Sequence, residues 1–264
     1  MNALATIAFA LILAAAAVQA AYLFRRDGRL DPASHWVLLA AALGLLALIL
    51  RRSLAIGFPA LTGTFECLVF FAAALCLILW AYRRQSRLAF LPLAQFGATI
   101  AAAAALALAN SPIAPKEAIA PIPALRSGWL ILHVSLSFIG EAFFASSFVA
   151  ALAFLASKDE GKKKDYDRLC YVSIAAGYPI FTAGALVFGA VWAERAWGSW
   201  WSWDPKEVWA LVTWLAYTLY LHLRQTRKRS DALPSIVAAA GFLCALFTFF
   251  GVNYLLPSLH AYGR

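Results

Sequence analysis

The 264-residue chain is 63% hydrophobic and 13% charged, with a mean hydropathy of +0.75. Soluble domains carry about a quarter charged residues, so a soluble globular fold is excluded. The net charge of +9 follows a membrane pattern and calls for no nucleic-acid partner. Cys67, Cys76, Cys170 and Cys244 lie in or beside apolar runs without CxxC spacing, which leaves no thiol-redox motif, zinc site or haem-attachment motif; they read as small core residues.

Apolar runs long enough to cross a bilayer recur near residues 2–24, 34–50, 65–82, 88–109, 129–156, 171–192, 207–223 and 234–256. They predict an all-α, polytopic membrane protein of about eight transmembrane helices, the second one short. A single integral-membrane domain covers 1–264, and residues 1–110 are its less diagnostic part. Lys and Arg number fifteen in the links after the first, third, fifth and seventh helices and seven on the other side. The positive-inside rule makes the first set cytoplasmic and puts both termini outside.

Residues 1–24 end in a mimic of a processing site, but no positive charge precedes the apolar run and Arg25-Arg26 follow it. That order predicts a retained helix with its N-terminus outside. His35 opens the second helix from the cytoplasmic side as a polar flank. Glu66 begins the third helix, where Thr64 is a candidate cap and the helix dipole favours an acid. Residues 110–128, with Pro112, Pro115, Pro121 and Pro123, predict an extended connection across the outer face, able to fold over the tryptophan-rich loop near residue 200.

In the fifth helix His133 stands near the outer end, with Glu141 about 12 Å deeper. An acid at that depth must face protein or a cavity rather than lipid, and its role stays open. Residues 155–169 form a solvated cytoplasmic charge run. Pro179 and Gly184 in the sixth helix mark a kink or close helix packing.

Residues 192–214, WAERAWGSWWSWDPKEVWALVTW, hold seven of the ten tryptophans. Trp197, Trp200, Trp201 and Trp203, interleaved with Gly198, Ser199 and Ser202, form an aromatic loop suited to a large flat conjugated ligand. An interfacial aromatic belt needs no ligand, yet belts scatter rings over many helix ends and these four are clustered. Asp204-Pro205-Lys206-Glu207 reads as a helix start, with Asp204 as N-cap, Pro205 at N1 and Glu207 closing a capping box.

The run WGSWWSWDPKE resembles the tryptophan-rich signature of haem-handling membrane proteins of cytochrome c maturation. Its continuation VWALVTWLAYTLYLHLR is similar to the CcsA-type (ResC-like) branch. Upstream, Thr64-Phe65-Glu66-Cys67-Leu68 is a weaker echo of the same pattern, which Glu141 departs from. The resemblance implies haem b (iron protoporphyrin IX) held against the tryptophans of an outer loop, 192–209, with Trp197, Trp200, Trp201, Trp203, Asp204 and Glu66 around it. It also implies a bacterial plasma-membrane location with the attachment site on the periplasmic side.

From helix order, His133 and His260 lie outside at the level of the tryptophans, whereas His35 and His222 lie at the cytoplasmic ends. Two imidazoles on opposite porphyrin faces make a six-coordinate iron; helix order alone leaves open that the outer pair are unrelated interfacial residues. The resemblance implies that His133, His260 and His222 are haem ligands. It implies further that a CcsB (ResB-like) membrane subunit completes the His222 site, His35 being the internal alternative. The function so implied is haem delivery across the membrane and presentation to an apocytochrome c with a CxxCH motif, as a subunit of a cytochrome c haem lyase (synthase). Two alternatives stay open: a haem carrier of CcmC type without synthase activity, and a b-type electron-transfer membrane cytochrome.

Overall fold

A computed structural model describes residues 3–25, 29–85, 91–226 and 231–257, and the described residues outside turns and loops are helical. The first four helices are α1 (Ala3–Leu23), α2 (Ser34–Ile56), α3 (Thr64–Arg84) and α4 (Pro92–Ala109). The second set comprises α5 (Gly128–Ala156), α6 (Glu160–Phe181), α7 (Gly189–Trp197), α8 (Pro205–Thr226), α9 (Ala232–Leu246) and the short α10 (Val252–Leu255). Two π-helical segments interrupt it: Thr182–Phe188 joins α6 to α7, and Phe247–Gly251 joins α9 to α10.

Seven of these helical stretches are long and apolar enough to cross a membrane, consistent with a multi-span membrane protein. The remaining long helix, α8, has 22 residues and would span about 33 Å; Lys206, Glu207, His222 and Arg224 within it dilute its apolar signal. The second helix, expected to be short, runs for 23 residues to Ile56. Arg51 and Arg52 lie inside it, because Arg52 has a buried partner and need not remain in water.

Helices α1 to α4 pack in a ring, each against the next and α1 against α4. The buried face of α1 is Ala5, Ala8, Ile12, Ala15, Ala16 and Gln19. Small side chains at helical spacing let backbones approach where lipid offers no hydrophobic drive to associate, while the other face meets lipid. Two-thirds of α3 is buried, because it packs on α2 and α4 and also on α5, the spine of the second half. The α5 helix touches α3, α4, α6, the Thr182–Phe188 segment, α7 and α9.

Glycine sets the closest approach. Side-chain carbons added at Gly140 and Gly177 would meet Phe181 and Phe143, and one at Gly184 would run into the backbone of Leu136 and Ser137. Gly184→Leu is therefore expected to force α5 away from the π segment and cost about 1–3 kcal/mol, read as an earlier thermal unfolding of the detergent-solubilised protein. An unchanged transition would mean that this contact yields freely.

Alternating helix direction brings the starts of α3, α5 and α8 and the ends of α2, α4, α7 and α10 to one end of the bundle, the tryptophan end. The opposite, basic end carries Arg83, Arg84, the Lys162–Lys164 run and Arg224. There the Arg224 guanidinium donates to Asp167 Oδ2 at 2.6 Å, tying α8 to α6.

Candidate functional site at the tryptophan end

A cavity of about 440 Å³ opens at the tryptophan end between α3, α5, α8 and the segments leading into α7 and α10, within the range of small-molecule sites. The proline-rich segment covers part of it: Pro115, Ile119, Pro121 and Leu125 line the cavity, as its extended composition led us to expect. A 3₁₀ turn at Pro123–Leu125 anchors this cover, its Ala124 carbonyl accepting a hydrogen bond from Trp192 Nε1 at 3.2 Å.

A second anchor is a buried ion pair. Arg52 Nε donates to Glu66 Oε1 at 2.8 Å, and two Arg52 nitrogens donate to the Lys116 carbonyl at 3.0 Å. The N-cap of α3 is Gly63, without a side-chain capping bond, so Thr64 does not cap. A nearby guanidinium, and not the helix dipole alone, accounts for the buried Glu66. Only a pairing across 14 residues supplies this reading; in sequence, Arg51-Arg52 looks like an ordinary helix-end flank.

The aromatic loop divides into supporting and lining rings. After Gly198 ends α7 in the left-handed region at φ 75°, Trp200 and Trp201 line the cavity. Trp197 packs edge-on against buried Trp192 at 4.8 Å, and Trp203 meets Trp201 edge-on at 5.8 Å. Trp203 has φ 58°, a left-handed conformation uncommon for a bulky side chain, and stays 69% exposed. The backbone that strains Trp203 leads directly into the α8 cap. The amide of Lys206 donates to Asp204 Oδ2 at 3.1 Å, and Glu207 Oε2 accepts from the amides of Asp204 at 3.1 Å and Ser202 at 2.8 Å. The expected capping box is present with Asp204 bonded to N2, and buried Asp204 holds the loop rather than lining the cavity.

His133 lines the cavity. Its Nδ1 lies 2.9 Å from the Gly184 carbonyl, which only a protonated Nδ1 can donate to, and that tautomer puts the ring's lone pair on Nε2. Gly184 belongs to the π segment, and its carbonyl also accepts from the Gly189 amide there, so the imidazole shares it with the backbone. The imidazole stacks on Trp192 at 6.0 Å with 7° between planes. Gly189 makes room for it: an added Cβ would lie 3.0 Å from His133 Nδ1. Gly184, Gly189 and Trp192 thus orient His133; in sequence Gly184 stood out as a packing residue and Trp192 as the first ring of the tryptophan-rich stretch, whereas Gly189 did not.

His260 lies outside the described residues. The helix leading toward it delivers Asn253 and Tyr254 to the cavity wall, and Tyr254 Oη donates to the Ile113 carbonyl of the cover at 3.0 Å. His222 is exposed at the basic end of α8. His35 belongs to α2, whose packing partners are α1 and α3, whereas α8 packs on α9, α6 and the π segments; the structure does not bring these two histidines onto facing helices. Among the described residues no group of three or more His, Cys, Asp or Glu could hold a metal ion.

These features define a polytopic α-helical membrane protein with an aromatic cavity at one end and an oriented imidazole in its wall. A family model described as cytochrome C assembly protein matches residues 63–260, and the chain belongs to that family. It is 31% identical to a cytochrome c biogenesis protein CcsA of Pyropia yezoensis over 89% of this chain and 88% of the relative. It is 42% identical to a CcsA of Chlamydomonas reinhardtii over 60% of this chain and 47% of the relative. The chain thus spans about half of the Chlamydomonas protein and most of the Pyropia one. In fold it is similar to the cytochrome c haem lyase CcmF, with a TM-score of 0.72 and 18% identity, over 98% of this chain and 46% of that one.

Proposed function

We propose that this chain presents haem b at its tryptophan end for covalent attachment to an apocytochrome c, as the CcsA-type subunit of a synthase completed by a CcsB-like membrane protein. The observation that carries the reading is His133: a ring fixed by the Gly184 carbonyl, backed by Trp192, and set in a cavity with Trp200 and Trp201. A metal-binding histidine characteristically gives its other ring N–H to a backbone carbonyl, which sets the tautomer and the ring direction. The cavity's apolar walls suit a tetrapyrrole, which is the substrate in this reading; His260 is the proposed second axial ligand.

Each thioether joins a cysteine sulfur to a vinyl carbon while the thiol proton passes to the neighbouring carbon, so the addition consumes no oxidant. The chain contributes placement: a held iron, a dry aromatic face, and an open mouth for the acceptor. Exposed Trp200, which lines the cavity, stands at that mouth, and Asp204 and Glu207 keep the loop in shape. Exposed His222 suits a site shared with a partner subunit better than an internal pairing with His35. The charge asymmetry supports a plasma-membrane orientation with the tryptophan end on the periplasmic side.

Reconstitution tests the reading against a carrier. Membranes containing this chain, the CcsB-like subunit, haem and an apocytochrome bearing CxxCH are expected to yield haem that stays with the cytochrome through denaturing electrophoresis. Haem bound by the complex without covalent product would favour a carrier of the CcmC kind, and quinol-driven haem reduction would favour an electron-transfer cytochrome.

A further inference from the structure

The charged side chains along the cavity separate into those the protein has already matched and those it has not. Glu66 is held by Arg52 and Glu207 by the loop amides, while Glu117 lies exposed in the cover. Lys206 and Glu141 remain. Both line the cavity, the charges of Asp204 and Glu141 reach Lys206 and that of Lys206 reaches Glu141, and neither side chain has an ion-pair or hydrogen-bond partner among the described residues. They belong to different elements: Lys206 comes from the second residue of α8, and Glu141 lies on the α5 face that also presents His133 and Ser137 at four-residue intervals. The surrounding wall is mostly apolar, including Leu61, Val134, Phe138 and Phe249.

An ammonium ion in such a wall is costly unless a counter-ion meets it. A carboxylate on an otherwise apolar ligand would supply that charge. We propose that Lys206 is the specificity-determining residue for the carboxylate-bearing edge of the tetrapyrrole, pairing with a propionate, while Glu141 balances Lys206 only when the cavity is empty. The inference rests on the haem reading and adds an orientation to it. The two propionates of protoporphyrin lie on one side of the macrocycle and the two vinyls on the other. Anchoring the acidic edge on Lys206 turns the vinyl edge toward the exposed rim at Trp200, where a thiol can reach it. Once a propionate has docked, Glu141 is a like charge beside it, so neutralising Glu141 strengthens binding of the diacid alone.

The test uses the purified full chain and metal-free porphyrins, which removes axial ligation by histidine. Protoporphyrin IX, its dimethyl ester and mesoporphyrin IX, a diacid without vinyls, are titrated while tryptophan fluorescence is followed. We expect the wild type to prefer the diacids over the diester by tenfold or more, with protoporphyrin and mesoporphyrin alike. Lys206→Gln is expected to bring that preference close to one and Lys206→Arg to keep it, while Glu141→Gln raises diacid affinity several-fold without moving the diester. Comparing ratios between variants cancels the greater partitioning of the ester into detergent. Equal diacid preference in wild type and Lys206→Gln overturns the proposal and leaves the haem reading intact. Failure of every metal-free porphyrin to bind the wild type also overturns the proposal, whereas the haem reading stands or falls on the haem content of His133→Gly.

Discussion

Replacing His133 with glycine is expected to lower the haem that co-purifies with the protein by tenfold or more, and added imidazole is expected to restore it. The glycine opens a hole bounded by the Trp192 face and the Gly184 carbonyl. A free imidazole in that hole can stack at the same place and donate to the same carbonyl, presenting its other nitrogen to the iron. The rescue separates ligation from architecture, because a purely packing role for His133 would not return a six-coordinate absorption spectrum on addition of a small base. The same measurement on His260→Gly tests the proposed second ligand, and His35→Ala is expected to leave haem content unchanged. Unaltered spectra in both glycine variants would remove the outer haem site.

The second large effect is expected at the Arg52–Glu66 pair. Arg52→Leu leaves the Glu66 carboxylate buried without its guanidinium, and such a broken pair typically costs about 3–5 kcal/mol. The double change Arg52→Leu with Glu66→Leu is expected to recover most of that stability, since well-packed apolar residues replace a buried pair at little net cost. It cannot restore the bonds from Arg52 to the Lys116 carbonyl. Proteolysis within residues 110–128 is therefore expected to be faster than in wild type in both the single and the double variant, even though only the single variant unfolds early. Unchanged thermal unfolding of Arg52→Leu would show that Glu66 finds another partner.

Much of the architecture is legible residue by residue. Runs of apolar residues of membrane length announce the helices, Lys and Arg counts sort their ends, and Asp204-Pro205-Lys206-Glu207 specifies a helix start through bonds made within a few residues. The proline spacing of 110–128 likewise predicts an extended cover. These features depend on local geometry or on the solvent preference of whole segments, and both are written in the linear order of side chains.

What tertiary structure alone decided is which polar groups meet. Arg52 reads as a flanking charge until α2 and α3 pack and bring Glu66 to it. Four tryptophans look equivalent in sequence, yet the fold sends Trp200 and Trp201 to the cavity and keeps Trp197, the last residue of α7, as support for Trp192. The Gly184 carbonyl becomes a partner for His133 only because the π segment packs closely on α5 at a residue without a side chain. Lys206 and Glu141, 65 residues apart in the numbering, share one wall because α5 and α8 both bring these residues to the tryptophan end. Burial makes such long-range pairings strong and specific, since an unmatched charge or donor is far more costly there than in water; the partner that relieves it is set by packing, which no local pattern encodes.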